Sequence, residues 1–263
     1  MPEDNILLAR DGVRLTLDDT VAYVTLSNPA KRNAQSPALW RALAEAGRLL
    51  PGQVRVVVLR GEGVSFSAGL DRQAFTPEGF DGEPSFLDLA RGSEPELDAT
   101  VAEYQEAFTW WRRTDLLTVA AVQGHAIGAG FQLALACDLR VCADDVQFAM
   151  RETSLGLVPD LTGTKPLTAL VGYARALEIC VTGRFVRAEE AQATGLANLV
   201  VPAAELDAAV KDLVEALLAP PRGAVNETKA LLRGAADHSE QQQWAAERAA
   251  QGRRLRDLAG LGE

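Results

Sequence analysis

"LLTVAAVQGHAIGAGFQLALACDLRV", residues 116–141, decides how this chain is read. Its apolar opening reads as a strand that runs into a turn with glycines at 124, 128 and 130. An apolar helical stretch and a second strand follow. Outward from it the same alternation recurs. "VRVVVLRG", residues 54–61, is a β-branched run of the kind buried on both faces of a parallel sheet. "GVRLTLDDTVAYVTLSNP" alternates apolar and polar residues about Asp18-Asp19 and predicts a hairpin. "SPALWRALAEAGRLL" predicts a helix with Ser36 as N-cap and Pro37 in its first turn. "VQFAM" reads as a further strand, and residues 76–98, rich in Pro, Gly, Asp and Glu, as a mobile surface loop or lid ahead of a helix over 96–114.

Beyond Gly163 only helical patterns remain. In "AAELDAAVKDLVEALL" the residues Leu206, Val210, Leu213, Val214, Leu217 and Leu218 share one face, and Pro220-Pro221 ends the run before two more helices from about 222 and 239. Strands alternating with helices, then helices alone, predict an α/β core over 1–200 and a C-terminal helical region over 201–263.

Composition narrows the function. The chain has 263 residues and a net charge of −10, which argues against a nucleic-acid partner, because phosphate binding needs a basic surface. "MPEDNILLARDGV" at the start carries acids and no long apolar stretch, so neither a signal peptide nor a membrane span is expected there. The three cysteines, Cys137, Cys142 and Cys180, are odd in number and contain no CxxC pair, which fits a reducing cytoplasm. The two histidines, His125 and His238, lie far apart, and no metal site is expected.

Three segments stand at predicted strand ends, where open α/β sheets bind ligands: "FSAGLD" at 66–71, the glycine turn at 124–131 and "RETSLGLVPD" at 151–160. The glycine spacing matches neither GxGxxG nor a Walker loop. What remains is a glycine-rich entry to a helix whose first N–H groups are free and reinforced by the helix dipole. Such an amide stabilises an oxyanion, and the bare turn "SAGLD" offers a second one. Ala68 N–H and Ala129 N–H are thus the expected pair, converging on one carbonyl oxygen.

"FSAGLD", "VAAVQGHAIGAGFQLALACDLRVCADDVQFAM" and "ETSLGLVPDLTGT" together resemble the crotonase, or enoyl-CoA hydratase/isomerase, superfamily, from about residue 10 to the end. The resemblance implies a crotonase-like core of repeated ββα units, C-terminal helices that build a homotrimer or hexamer, and an acyl-CoA thioester substrate. Coenzyme A is part of that substrate, so no separate cofactor is implied. The backbone amides matching Ala68 and Ala129 would hold the thioester carbonyl, with Gly69, Leu70, Asp71 and Gly128 around it.

The choice of reaction then turns on carboxylates. The resemblance places one hydratase glutamate at Glu152 and the other at residue 132, which here is Gln132, an amide that can hold a water but cannot accept its proton. Asp160, eight residues after Glu152, matches the dienoyl-CoA isomerase branch, in which a Glu and an Asp move a proton along the acyl chain. Double-bond isomerisation is therefore the expected reaction; hydration through Gln132 and a silent acyl-CoA-binding protein are the alternatives. Asp160 as an N-cap for the following helix, Glu152 as an acid ion-paired to Arg151, and a Ser67–His125 hydrolase are the competing readings of those residues. Lys31 and Arg32 in "NPAKRNA" are the expected cations for CoA, with Lys229 and Arg233 as weaker candidates; Trp110 and Trp111 either wall the acyl pocket or pack in the core.

Overall fold

Seven strands form the main sheet of this computed structural model, which describes residues 5–80, 83 and 85–261. The hairpin is β2 (Val13–Asp18) with β3 (Val21–Leu26), antiparallel, its turn made by Asp19 in the left-handed region. β1 (Ile6–Arg10), which the sequence reading did not find, adds antiparallel to β2 with only Leu8 buried. From β3 the sheet is parallel through β4 (Val56–Gly61), β5 (Leu117–Val122), β7 (Leu139–Ala143) and β10 (Leu199–Val201). β4, β5 and β7 are almost wholly buried, as their largely apolar runs require.

Gln123 and Gly124 turn the chain out of the main sheet, so "HAI" is a separate strand rather than a continuation into a turn. This β6 (His125–Ile127) pairs in parallel with β8 (Gln147–Ala149), which pairs with β9 (Val186–Arg187). β5-β6 followed by helix α4 (Ala129–Ala136), and β7-β8 followed by helix α5 (Thr164–Val171), are ββα units whose first strand lies in the large sheet and second in the small one.

Helix α1 (Pro37–Leu49) begins as expected: Ser36 Oγ accepts from Leu39 N–H and Pro37 opens the first turn. Part of the expected loop over 76–98 lies outside the described residues; around it sit a short helix α2 (Phe86–Leu89), capped by a Ser85–Asp88 box, and helix α3 (Glu94–Thr109). Helix α4, wholly buried, packs against α3, β6 and α5.

After α6 (Tyr173–Thr182) and α7 (Ala188–Ala193), α8 (Leu206–Leu218) lies on the opposite face of the main sheet, where Leu206, Val210 and Val214 pack on Val56, Val58, Val119 and Val141. This helix shares a core with the strands, so the α/β packing continues past the expected boundary at 200. Only α9 (Arg222–Gly234) and α10 (Glu240–Leu258) pair chiefly with each other. No helix among the described residues is long and apolar enough to cross a membrane.

Candidate active site

Backbone hydrogen bonds lay the three motif segments side by side. Ser67 N–H donates to His125 O at 2.8 Å and Ile127 N–H returns to Ser67 O at 3.0 Å, so the turn after β4 runs along β6. Gly128 N–H donates to Ala149 O at 2.8 Å, which binds β6 to the strand that leads into Glu152. On the other flank Gln35 N–H donates to Gly69 O and Asp71 N–H to Gln35 O, both at 2.8 Å. The "NPAKRNA" loop is thereby stitched to the turn, with buried Asn33 donating to Glu62, Ser65 and Phe66 carbonyls. Asn33 and Gln35 were not singled out from sequence; an amide side chain gives no local signal when its partners lie far along the chain.

The amides differ from the sequence expectation at one position. Ala68 N–H already donates to Arg32 O at 2.8 Å and is not free for a ligand. Two residues on, Leu70 N–H has no acceptor among the described residues, and neither has Ala129 N–H at the first position of α4. The correction follows from the backbone: Ala68 continues the pairing with the 32–35 segment, whereas Gly69, at φ +82°, rotates the next amide away from it. Gly69 is required there for space as well as conformation. A Cβ on it would collide with Ile127 O and stand 3.6 Å from Ala129 N, which also shows how closely the two turns approach.

Gly128 is the N-cap of α4, and the Glu152 carboxylate lies over it, with Oε1 3.3 Å from where a Gly128 Cβ would be. Glu152 opens a 3-10 turn over Glu152–Leu155 directly after β8. Its Oε1 accepts from Gln132 Nε2 at 2.7 Å, while Oε2 is buried with no hydrogen-bond partner. Burial pushes its carboxyl above the usual range, the negative charge of Asp160 adds to this, and the Gln132 hydrogen bond opposes it. Arg151 points elsewhere, donating to Gly183 O, so the two are not an ion pair.

Asp160 is solvent-exposed, yet the protein crowding its carboxyl still pushes it above the usual range. It is not a helix cap: α5 starts four residues later, with Gly163 as N-cap and no capping side chain. The hydrolase reading also fails, because Ser67 Oγ donates to Asn33 O and His125 Nδ1 is bonded to Ser65 Oγ.

Of the expected cations, Lys31 Nζ pairs with Asp71 at 2.9 Å, and Asp71 Oδ1 also accepts from Gln73 N–H. Arg32 is exposed at the same loop. Lys229 is a core residue instead: 6 % exposed, it donates to Leu116 O and to Asp138 at 2.6 Å and ties α9 to the sheet. Trp110 stacks on Trp111 and fills the space over Gly47 of α1; Trp111 is fully buried in the core, while half-buried Trp110 lines a surface pocket with Gly47 and Arg113, away from Glu152 and the two turns.

Two turns presenting unspent amides beside a carboxyl with one unpartnered oxygen, on ββα units, define an enzyme of the crotonase type. A family model for enoyl-CoA hydratase/isomerase matches residues 16–255, and the chain belongs to that family. Over 224 residues it is 35% identical to the mitochondrial Delta(3,5)-Delta(2,4)-dienoyl-CoA isomerase of Homo sapiens, covering 83% of this chain and 67% of the relative. Over 194 residues it is 31% identical to the probable enoyl-CoA hydratase echA8 of Mycobacterium tuberculosis (strain CDC 1551 / Oshkosh), covering 72% of this chain and 68% of that one. A Thermobifida fusca YX protein assigned as an enoyl-CoA hydratase, solved with CoA, superposes with a TM-score of 0.90 at 50% identity over 95% of both chains. The same protein has been solved with acetoacetyl-CoA.

Proposed function

We propose that this chain isomerises the double bonds of an enoyl- or dienoyl-CoA. The thioester oxygen would sit between Leu70 N–H and Ala129 N–H, where α4 adds its N-terminal partial charge. Each such donor is worth roughly 3–4 kcal/mol to the developing enolate. Glu152 is the principal base: it removes the proton alpha to the carbonyl as the oxygen takes up the charge. Asp160 is the partner carboxyl that returns a proton further along the conjugated system, and the double bonds shift with no atom gained or lost.

The observation that carries this reading is the state of Gln132. Its carbonyl oxygen already accepts from Leu161 N–H at 2.9 Å and Gly163 N–H at 3.2 Å, and its amide nitrogen donates to Glu152. The side chain most needed to hold a water is engaged with protein, whereas two carboxyls of raised pKa share the site. Hydration of a 2-enoyl-CoA is the second reading, favoured by the 50% identical neighbour assigned as a hydratase.

The CoA complexes of that neighbour support an acyl-CoA substrate, with Lys31 and Arg32 as the expected contacts for its anionic end. A homotrimer or hexamer is supported by apolar side chains left uncovered, among them Val158 (69% exposed), Tyr173 (72%) and Leu258 (83%). Three free thiols support a reducing compartment such as the cytoplasm.

Incubation with a 3,5-dienoyl-CoA should generate the absorbance of a 2,4-dienoyl thioester. Loss of the conjugated absorbance of a 2-enoyl-CoA in water, with no dienoyl product, would establish hydration instead. Binding without turnover of either substrate would leave an acyl-CoA-binding protein.

A further inference from the structure

Asp160, Leu161, Thr162 and Gly163 are held largely by side chains reaching in from elsewhere. Gln105 of α3 donates to Asp160 O at 2.6 Å, and Arg112 donates to Thr162 O at 3.1 Å. Gln132 Oε1 takes the two intervening amides, Leu161 N–H and Gly163 N–H. Thr162 itself lies at φ +67°, a conformation a non-glycine residue keeps only where its surroundings over-determine it.

Gln132 is fully buried, and chemistry fixes which way its amide faces. Two backbone N–H groups are obligate donors, so the side-chain oxygen must face them, and the NH₂ group is left to donate to Glu152. Gly163 supplies the room. Its φ of −75° suits any residue, but a Cβ there would stand 2.7 Å from Gln132 Cγ and 3.0 Å from Oε1.

We propose that Gln132 is a positioning residue, a strut whose amide locks the Glu152 carboxylate and the loop carrying Asp160 into one rigid unit. The inference rests on the two-carboxyl reading for its catalytic consequence, but not for its structural one. A glutamate at 132 could not do the same: one oxygen would accept from the loop while the other faced the Glu152 carboxylate, and the pair would hold a shared proton. An amide gives the loop its acceptor and Glu152 its donor with no competing charge.

The test compares wild type with Gln132→Leu, Gln132→Glu and Gly163→Ala. Hydrogen exchange of the Leu161 and Gly163 amides, and titration of the Glu152 carboxyl by infrared difference spectroscopy, are read without substrate. Kinetics with a dienoyl-CoA are read with it. Gln132→Leu should speed exchange at both amides and raise the Glu152 titration. It should lower kcat about 100-fold, as expected of a misplacement near 1 Å, while KM changes far less. Gln132→Glu keeps the acceptor, so exchange should stay slow while the acid limb of the pH profile moves up. Gly163→Ala should reproduce the Gln132→Leu pattern with Gln132 intact.

Retained amide protection in Gln132→Leu, or a Glu152 titration that superimposes on wild type, would overturn the strut. So would a lower Tm with an unchanged kcat and pH profile, the mark of a residue that only supports the fold. If wild type turns over no dienoyl-CoA, the isomerase reading fails, and the amide exchange and carboxyl titration alone decide the strut.

Discussion

Glu152 Oε1 is bonded to Gln132 Nε2 at 2.7 Å, and its other oxygen, buried, has no partner. One half of the carboxyl is fixed and the other is left for chemistry. A carboxyl so placed has a raised pKa because burial penalises its charged form.

Activity should therefore fall on the acid side of neutrality. A base works only when ionised, so kcat should decline as pH drops through the raised pKa of Glu152 in the substrate complex. Glu152→Gln should abolish that limb and lower kcat by roughly 10²–10⁴-fold. A pH–rate series on both proteins checks this; an unchanged rate in the variant would remove Glu152 from the reaction.

The same substitution should stabilise the fold at neutral pH. A group whose folded pKa lies above its unfolded value stabilises below the unfolded pKa, and that contribution is lost as pH rises through the folded pKa. Above the folded pKa the wild type holds a half-satisfied carboxylate away from water, and the amide variant does not. Thermal melts at pH 7–8 and near pH 4 should show a higher Tm for Glu152→Gln at the upper pH, with the difference shrinking on acidification.

Asp160→Asn should reduce isomerisation by roughly two orders of magnitude or more while CoA affinity stays nearly constant. Because Gly163, not Asp160, caps α5, its melting temperature should stay close to wild type. Loss of stability in place of activity would restore a structural role for this residue.

Gly69→Ala should disable the site from the backbone. The new methyl would collide with Ile127 O, and φ +82° is strained for alanine, so the Leu70 amide must move. A loss of about 10²–10³-fold in kcat is expected from one displaced oxyanion donor. Titration calorimetry with CoA, which lacks the thioester, should show little change.

Lys229→Met should act on stability and not on ligand binding. It leaves the half-buried Asp138 carboxylate without its ammonium partner, a loss of up to roughly 3–5 kcal/mol. Denaturant melts together with CoA binding separate this from a role in phosphate contact.

By itself the sequence determined the kinds of element and the neighbourhood of the site. Apolar runs, the Ser36-Pro37 cap, the Asp18-Asp19 turn and the glycine turns are signals carried within a few residues, and the hairpin, α1, β4, α4 and the last helices stand where those signals put them. They also marked 66–71, 124–131 and 151–160 as strand ends. Tertiary structure alone decided which groups there are free. Ala68 N–H is spent on Arg32 O and Leu70 N–H is not; Gln132 faces a loop as well as Glu152; Lys229 of α9 is spent on Asp138. Each of these is a hydrogen bond between residues distant in the chain, and the free energy that fixes such a pairing comes from burial after the elements have packed, so no local pattern records it.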